Sequence, residues 1–147
     1  MTQIEKDYIT TGKVKHIFMD FPMPVHIWAW KASEAAACAG DEGQFWEMHN
    51  RLFANQHALK QEDLLEHAAA LGLDTARFRE CLDTGKHTAT IQKEIAEGRK
   101  AGITSRPTVL LGFSESGDKV KAVRKISGDQ PYAAFKAAID EMLSSKK

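Results

Sequence analysis

The residues with the most capacity for chemistry in this chain are its two cysteines, Cys38 in "AAACAG" and Cys81 in "RFRECLDTG". They stand about forty residues apart, so their spacing draws neither a close redox pair nor a zinc motif. Whatever they do requires that they meet in space. Cys38 falls among small apolar neighbours on a predicted helix. Cys81 falls near the end of a short one, away from the helix N-terminus where a thiolate would be stabilised. Neither position predicts a reactive thiol, and a buried cysteine commonly serves as a small hydrophobe. The six histidines, His16, His26, His49, His57, His67 and His87, include no pair at i, i+3 or i, i+4. That pattern points to solvent-facing or core-filling roles and assigns no metal. Trp28, Trp30 and Trp46, with Phe45 and Phe53, read as core of a helical region rather than as a cofactor box.

A third feature is positional. The stretch "GITSRPTVLL", Gly102 to Leu111, ends in an apolar, β-branched run that reads as a strand, with Pro107 at its entrance. A proline cannot donate a ladder hydrogen bond, so within a sheet it is confined to first positions, edges and bulges. From the residues alone, a trans proline that starts the strand is the ordinary reading, since about one X-Pro bond in twenty is cis. A turn can nevertheless hold such a bond cis at a cost of about 0.5–1 kcal/mol. The backbone of the preceding residue then presents an edge to an extended peptide.

The elements that must position these groups are bounded by composition. A chain of 147 residues is one domain by length, and it can bury about two thirds of the surface that its unfolded form exposes. Twenty basic and twenty acidic side chains cancel, and neither sign forms a long block. That excludes an electrostatic footprint for nucleic acid or for an anionic membrane. No apolar run approaches the ~18 residues of a membrane span, and "MTQIEKDYITTGK" has neither the basic nor the apolar region of a secretory signal.

Ile4, Tyr8 and Ile9 give a short helical stripe up to Gly12, and the chain opens partway along that helix with no N-cap before it. "KVKHIFMDF" alternates, Val14, His16, Phe18 and Asp20 against Lys15, Ile17, Met19 and Phe21, which predicts a strand covered on both faces. From His26 to about Leu82 the pattern is helical, with Asp74 as an N-cap and with Phe45, His49, Leu52 and Phe53 on one helix face. A long helix from about Thr88 to Ala101 closes at Gly102. After it come the strand "TVLL", a turn around "SESGDK", the strand "VKAVRKIS" and a helix from Tyr132 to Leu143 behind Pro131.

That order is an α/β order. The segments "QIEKDYITTGKVKHIFMDFPM", "AAACAGDEGQFWEMHNRLF", "FRECLDTGK", "IAEGRKAGITSRPTVLL" and "ISGDQPYAAFKAAIDEML" resemble, in sequence, consecutive segments of DsbA-like thiol:disulfide oxidoreductases. The resemblance covers nearly the whole chain. It implies a single thioredoxin-like domain over residues 1–147, with 1–21 and 88–147 as the thioredoxin-like part and 22–87 as a helical insertion. It also implies that the family's first strand and the start of its first long helix are missing here.

In that family a cis proline precedes the third strand and lies against the active-site disulfide. By resemblance Pro107 is that cis proline, and Ser105, Arg106 and Pro107 form the substrate-binding loop. Arg106 departs from the small or β-branched residues common there, which makes the site more cationic. The family's catalytic Cys-x-x-Cys is absent from this chain, so no catalytic residue is carried over and the chain is expected to be inactive. In many relatives cysteines at the places of Cys38 and Cys81 form a second, non-catalytic disulfide. The family acts on protein or peptide thiols and disulfides, without a cofactor, usually outside the cytoplasm where disulfides persist. An alternative reading is a non-catalytic module that binds peptide or a second copy of itself. A homodimer is expected, because loss of a central strand would leave two strands with unpaired edges.

Overall fold

A computed structural model describes residues 2–116 and 119–145. The chain divides into two compact units, residues 1–18 with 102–147 and residues 19–101.

The first unit begins with α1, a helix that is α over Thr2–Ile4 and π over Glu5–Ile9. Beyond Gly12, which takes the left-handed φ of 72° expected of a helix-terminating glycine, the backbone runs on without helix or strand. Here the structure corrects the predicted strand at Val14 to Met19. The period-two pleat is present: Val14, His16 and Phe18 are half-buried, while Lys15, Ile17 and Met19 are exposed. A strand also needs a ladder partner, and none lies beside this segment among the described residues. The expected cover on both faces is absent too, Ile17 and Met19 being 47% and 46% exposed.

The sheet of this unit is a two-stranded antiparallel ribbon of β1 (Thr108–Ser114) and β2 (Val120–Ser127). Thr108 pairs with Ser127 and Leu111 with Arg124, and the register slips between Leu111 and Gly112. The slip falls at a glycine for a steric reason: a Cβ on Gly112 would lie 2.4 Å from the Lys121 carbonyl oxygen. Helix α7 (Tyr132–Ser144) follows Pro131 and buries Ala138 and Ile139. Arg124 on β2 pairs with Glu141 on α7 at 2.9 Å.

The second unit is helical: α2 (Ala29–Gly40), α3 (Phe45–Ala54), α4 (Gln61–Ala70), α5 (Thr75–Thr84) and α6 (Thr88–Lys100). Its core joins the alanine face of α2 to Met48 and Leu52 of α3, Leu64 and Ala68 of α4, and Phe78, Cys81 and Leu82 of α5. Small residues on α2 let the neighbouring helices approach closely. Asp74 caps α5 as its sequence predicts, accepting from the Ala76 and Arg77 amides at 3.1 Å. Three of the aromatic residues expected in this core sit at its margin instead, with Trp28 42%, Trp46 39% and Phe53 59% exposed. Phe78 is the ring that the interior does take, among alanine, leucine and methionine side chains.

Helix α6 lies within the helical unit. Two contacts hold it there. Thr88 donates to buried Glu34 of α2 at 2.5 Å, and Gly98 meets the ring of Phe21 closely enough to leave no room for a Cβ. No helix among the described residues is long and apolar enough to cross a membrane.

Candidate functional site

The loop ahead of β1 and the paired cysteines belong to different units, and each forms a site of its own. Ser105, Arg106 and Pro107 are exposed, and the Arg106–Pro107 peptide bond is cis. The loop is fixed from both ends. The Thr108 hydroxyl donates to the Ser105 carbonyl at 2.7 Å, and the Gly128 amide, just past β2, donates to the Pro107 carbonyl at 2.8 Å. Pro107 therefore stands immediately before the ladder, where its missing N–H removes no ladder bond. β2 pairs with one edge of β1, and no strand pairs with the other edge among the described residues. A backbone edge of this kind, beginning at a braced and exposed loop, can take an added extended strand.

Cys38 and Cys81 form a disulfide between α2 and α5, with Cα atoms 6.0 Å apart. It is nearly covered, Cys38 being 3% and Cys81 8% exposed. Its surroundings are more polar than the sequence predicts. Asp41, at the C-terminal end of α2, accepts from Lys86 Nζ at 2.8 Å and from His87 Nε2 at 3.0 Å, and its Oδ2 lies 3.9 Å from Cys81 Sγ. Burial pushes the Asp41 carboxyl up, but the hydrogen bonds from Lys86 and His87 outweigh it and hold the group below its ordinary value. Both cysteines line a cavity of about 290 Å³.

Two further clusters have no signature in the sequence. Glu34, 1% exposed, accepts from Lys31 at 2.7 Å and from Thr88, while Lys31 also donates to the Leu82 carbonyl at 2.9 Å. Burial raises its pKa, and the bonds from Lys31, Thr88 and Trp30 reverse that and leave it lowered. This ion pair is a structural joint between α2, α5 and α6. The second cluster pairs Asp20 with Glu94, whose Oε2 accepts the Asp20 amide at 2.5 Å. Burial raises both carboxyls. Ser33 and His49 partly offset the effect at Asp20, and at Glu94 the Asp20 amide opposes it while the charges of Asp20 and Glu97 add to it.

Of the histidines, His67 is the core-filling one: Arg51 Nε donates to its Nδ1 at 3.1 Å and its Nε2 donates to the Ala58 carbonyl at 3.0 Å. His49 stacks within the α3 aromatic row, its ring centroid 5.9 Å from Phe45 and 4.7 Å from Phe53. His87 is the histidine that sequence spacing misses, because its neighbours come from α2 and α5.

A β-hairpin followed by a C-terminal helix, together with a helical unit, makes an α/β protein. A family model described as Thioredoxin matches residues 1–141, and the chain belongs to that family. It is 27% identical over 158 residues to the Disulfide bond formation protein D of Bacillus subtilis (strain 168), a match that covers 98% of this chain and 64% of that protein. It is 38% identical over 99 residues to the Na(+)/H(+) antiporter NhaA 1 of Salinispora arenicola (strain CNS-205), covering 67% of this chain. It is 37% identical over 81 residues to the Na(+)/H(+) antiporter NhaA of Herminiimonas arsenicoxydans, covering 55% of this chain. The chain spans 15% and 13% of the length of these two antiporters. The chain is therefore a thioredoxin-family protein that is similar, over nearly all of its length, to a protein named for disulfide bond formation.

Proposed function

We propose that this chain is a DsbA-like member of the thioredoxin family whose Ser105–Arg106–Pro107 loop receives an extended peptide bearing a thiol or disulfide. The observation that carries the reading is the placement of that exposed, doubly braced loop at the head of an available β1 edge, in a chain whose family match runs over residues 1–141. Main-chain hydrogen bonds along β1 supply affinity, and Arg106 favours peptides with an acidic residue opposite the loop. The compartment that suits this chemistry is an oxidising one, where disulfides persist.

Thiol exchange needs an attacking thiolate and a resolving partner, and this sequence holds no Cys-x-x-Cys. In our reading the chain alone binds such peptides without turning them over. The related reading is a non-catalytic module that binds peptide or a second copy of itself on the same scaffold.

The test is a titration of the chain with an extended cysteine-containing peptide, followed by amide chemical shifts, alongside an insulin reduction assay. Shift changes centred on Ser105 to Leu111, weakened by Arg106→Glu for an acidic peptide, are expected. Insulin reduction is expected to be no faster than with the Cys38→Ser, Cys81→Ser double variant. Shifts confined to other surfaces would refute the binding site, and turnover above the double variant would refute the inactivity. Sedimentation velocity on the same sample decides self-association: a micromolar dimer supports it and a monomer removes it.

A further inference from the structure

The Cys38–Cys81 bridge has a third companion of metal-ligating type. The two sulfurs and a ring nitrogen of His87 all lie within 4.8 Å of one another, brought together by α2, α5 and the residue that precedes α6. Thiolate and imidazole at that span are the donor set of tetrahedral zinc sites. As a disulfide the sulfurs carry no thiolate charge to offer, and reduction creates the donors. We propose that Cys38, Cys81 and His87 form a redox-gated site for a divalent metal of the Zn²⁺ class, closed by the disulfide and opened by its two-electron reduction.

The surroundings suit both states. The helices that carry the cysteines meet in the buried core of one unit, with Cα atoms 6.0 Å apart, so reduction leaves the two thiols facing each other. Zn–S bonds of about 2.3 Å in a tetrahedron need the sulfurs to part to about 3.8 Å, which cysteine side-chain rotation supplies. Asp41 borders the three, its Oδ2 lying 3.0 Å from His87 Nε2 and 3.9 Å from Cys81 Sγ. The competing charge is Lys86, bonded to Asp41 at 2.8 Å. Its side chain is 58% exposed and free to swing into solvent once a dication takes its place. A cavity of about 290 Å³ lined by both cysteines, Asp41, Arg77 and Thr84 lies beside the bridge.

The electron and proton balance is simple. A protein dithiol attacks one sulfur of the bridge, its second thiol resolves the mixed disulfide, and the products are its own disulfide and the Cys38 and Cys81 thiols. The metal then displaces both thiol protons to solvent. His87 binds through one ring nitrogen as neutral imidazole, any proton on that nitrogen passing to the other ring nitrogen or to solvent.

The experiment titrates the reduced full chain, freed of reductant under argon, with Co²⁺ and then Zn²⁺. Thiolate-to-cobalt charge transfer and tetrahedral ligand-field bands should saturate at about one metal per chain and be bleached by Zn²⁺. The oxidised chain should show none of this. His87→Gln keeps the disulfide and should weaken Co²⁺ binding by at least about tenfold, the scale on which metal sites respond even to loss of a supporting group. Circular dichroism is recorded throughout. If the reduced chain loses helix without metal, metal-driven recovery of helix that depends on His87 supports the site. The proposal is overturned if the reduced chain, folded or not, shows no thiolate bands, binds cobalt as tightly in the His87→Gln form, or is matched by the oxidised chain.

Discussion

Tyr8 donates its hydroxyl to Asp140 Oδ1 at 2.7 Å, joining side chains 132 residues apart in sequence. A second phenol–carboxylate pair runs the opposite way between the same elements, Tyr132 of α7 donating to Asp7 of α1. Lys136 completes the group by bonding Asp140 at 2.5 Å. Two reciprocal bonds fix the axial position of α1 against α7, where a single bond would let it pivot.

These pairs set a pH window for the first unit. The bond to Asp7 pushes the Tyr132 phenol up to about 12, and the bond to Asp140 raises Tyr8. A phenol whose folded pKa is raised contributes stability that is complete below its unfolded value of about 10 and is lost as pH rises through the folded one. The carboxylates act at the other end. Asp7, held below its ordinary value chiefly by Tyr132, and Asp140, held down chiefly by Lys136, contribute above about pH 4 and lose that contribution as pH falls. Amide exchange in α1 should therefore accelerate above about pH 10, and Tyr132→Phe should diminish the alkaline step to the share that Tyr8 contributes while α1 remains folded at neutral pH. An α1 exchange rate in Tyr132→Phe with the wild-type alkaline step would refute this assignment.

Gly98→Ala should destabilise the helical unit. In an exposed helix interior this change ordinarily gains about 1 kcal/mol. Here the new Cβ would sit 2.6 Å from Phe21 Cε2, so the ring must move or the helix must shift. The expected loss is about 1–3 kcal/mol by thermal or urea denaturation, the usual cost of overpacking. Phe21→Leu should recover part of it. A Gly98→Ala variant more stable than the parent would show that Phe21 yields freely.

Reducing the disulfide should lower stability by about 4 kcal/mol in the chain-entropy picture, given a sequence separation of 43 residues. The measurement is the urea midpoint of the oxidised chain against the Cys38→Ala, Cys81→Ala double variant. A midpoint difference equivalent to less than about 1 kcal/mol would mean that the helical core alone fixes α2 against α5.

Much of this architecture is legible in the sequence because it is local. The Asp74 cap, the apolar face of α3, the Pro131 start of α7 and the pleat of Val14 to Phe18 each follow from a few neighbouring residues. What escapes is set by partners distant in the chain. The pleat does not reveal that its segment lacks a ladder partner among the described residues, and the pattern of α6 does not reveal that Thr88 reaches Glu34. The site divides the same way. Pro107 announces itself at a strand entrance, whereas His87 has no ligand-spaced companion nearby and meets Cys38 and Cys81 only through the packing of three helices. Asp41 and Lys86 look like solvated charges until the fold places them over the disulfide.

The final prediction concerns Asp20 and Glu94. Burial raises both carboxyls, and at Glu94 the neighbouring charges of Asp20 and Glu97 add to the effect. A carboxyl whose folded pKa is raised binds its proton more tightly in the native state than in the unfolded one. The ionised pair therefore costs stability at neutral pH, and the cost fades as pH falls through the folded pKa toward the unfolded value near 4. This sign is opposite to that of Glu34 and Asp41, so the whole-protein pH profile would hide it and a difference measurement is needed. Glu94→Gln provides one. Its carbonyl oxygen can still accept the Asp20 amide that Glu94 Oε2 now accepts at 2.5 Å, and it removes the charge alone. The variant should be more stable than the parent at pH 7 by up to about 1 kcal/mol, within the ordinary range for point changes. The difference should shrink to nothing by about pH 3, where Glu94 is protonated in both folded and unfolded chains. Equal denaturation midpoints at pH 7, or an advantage that persists undiminished in acid, would show that the pair is not held ionised against its surroundings.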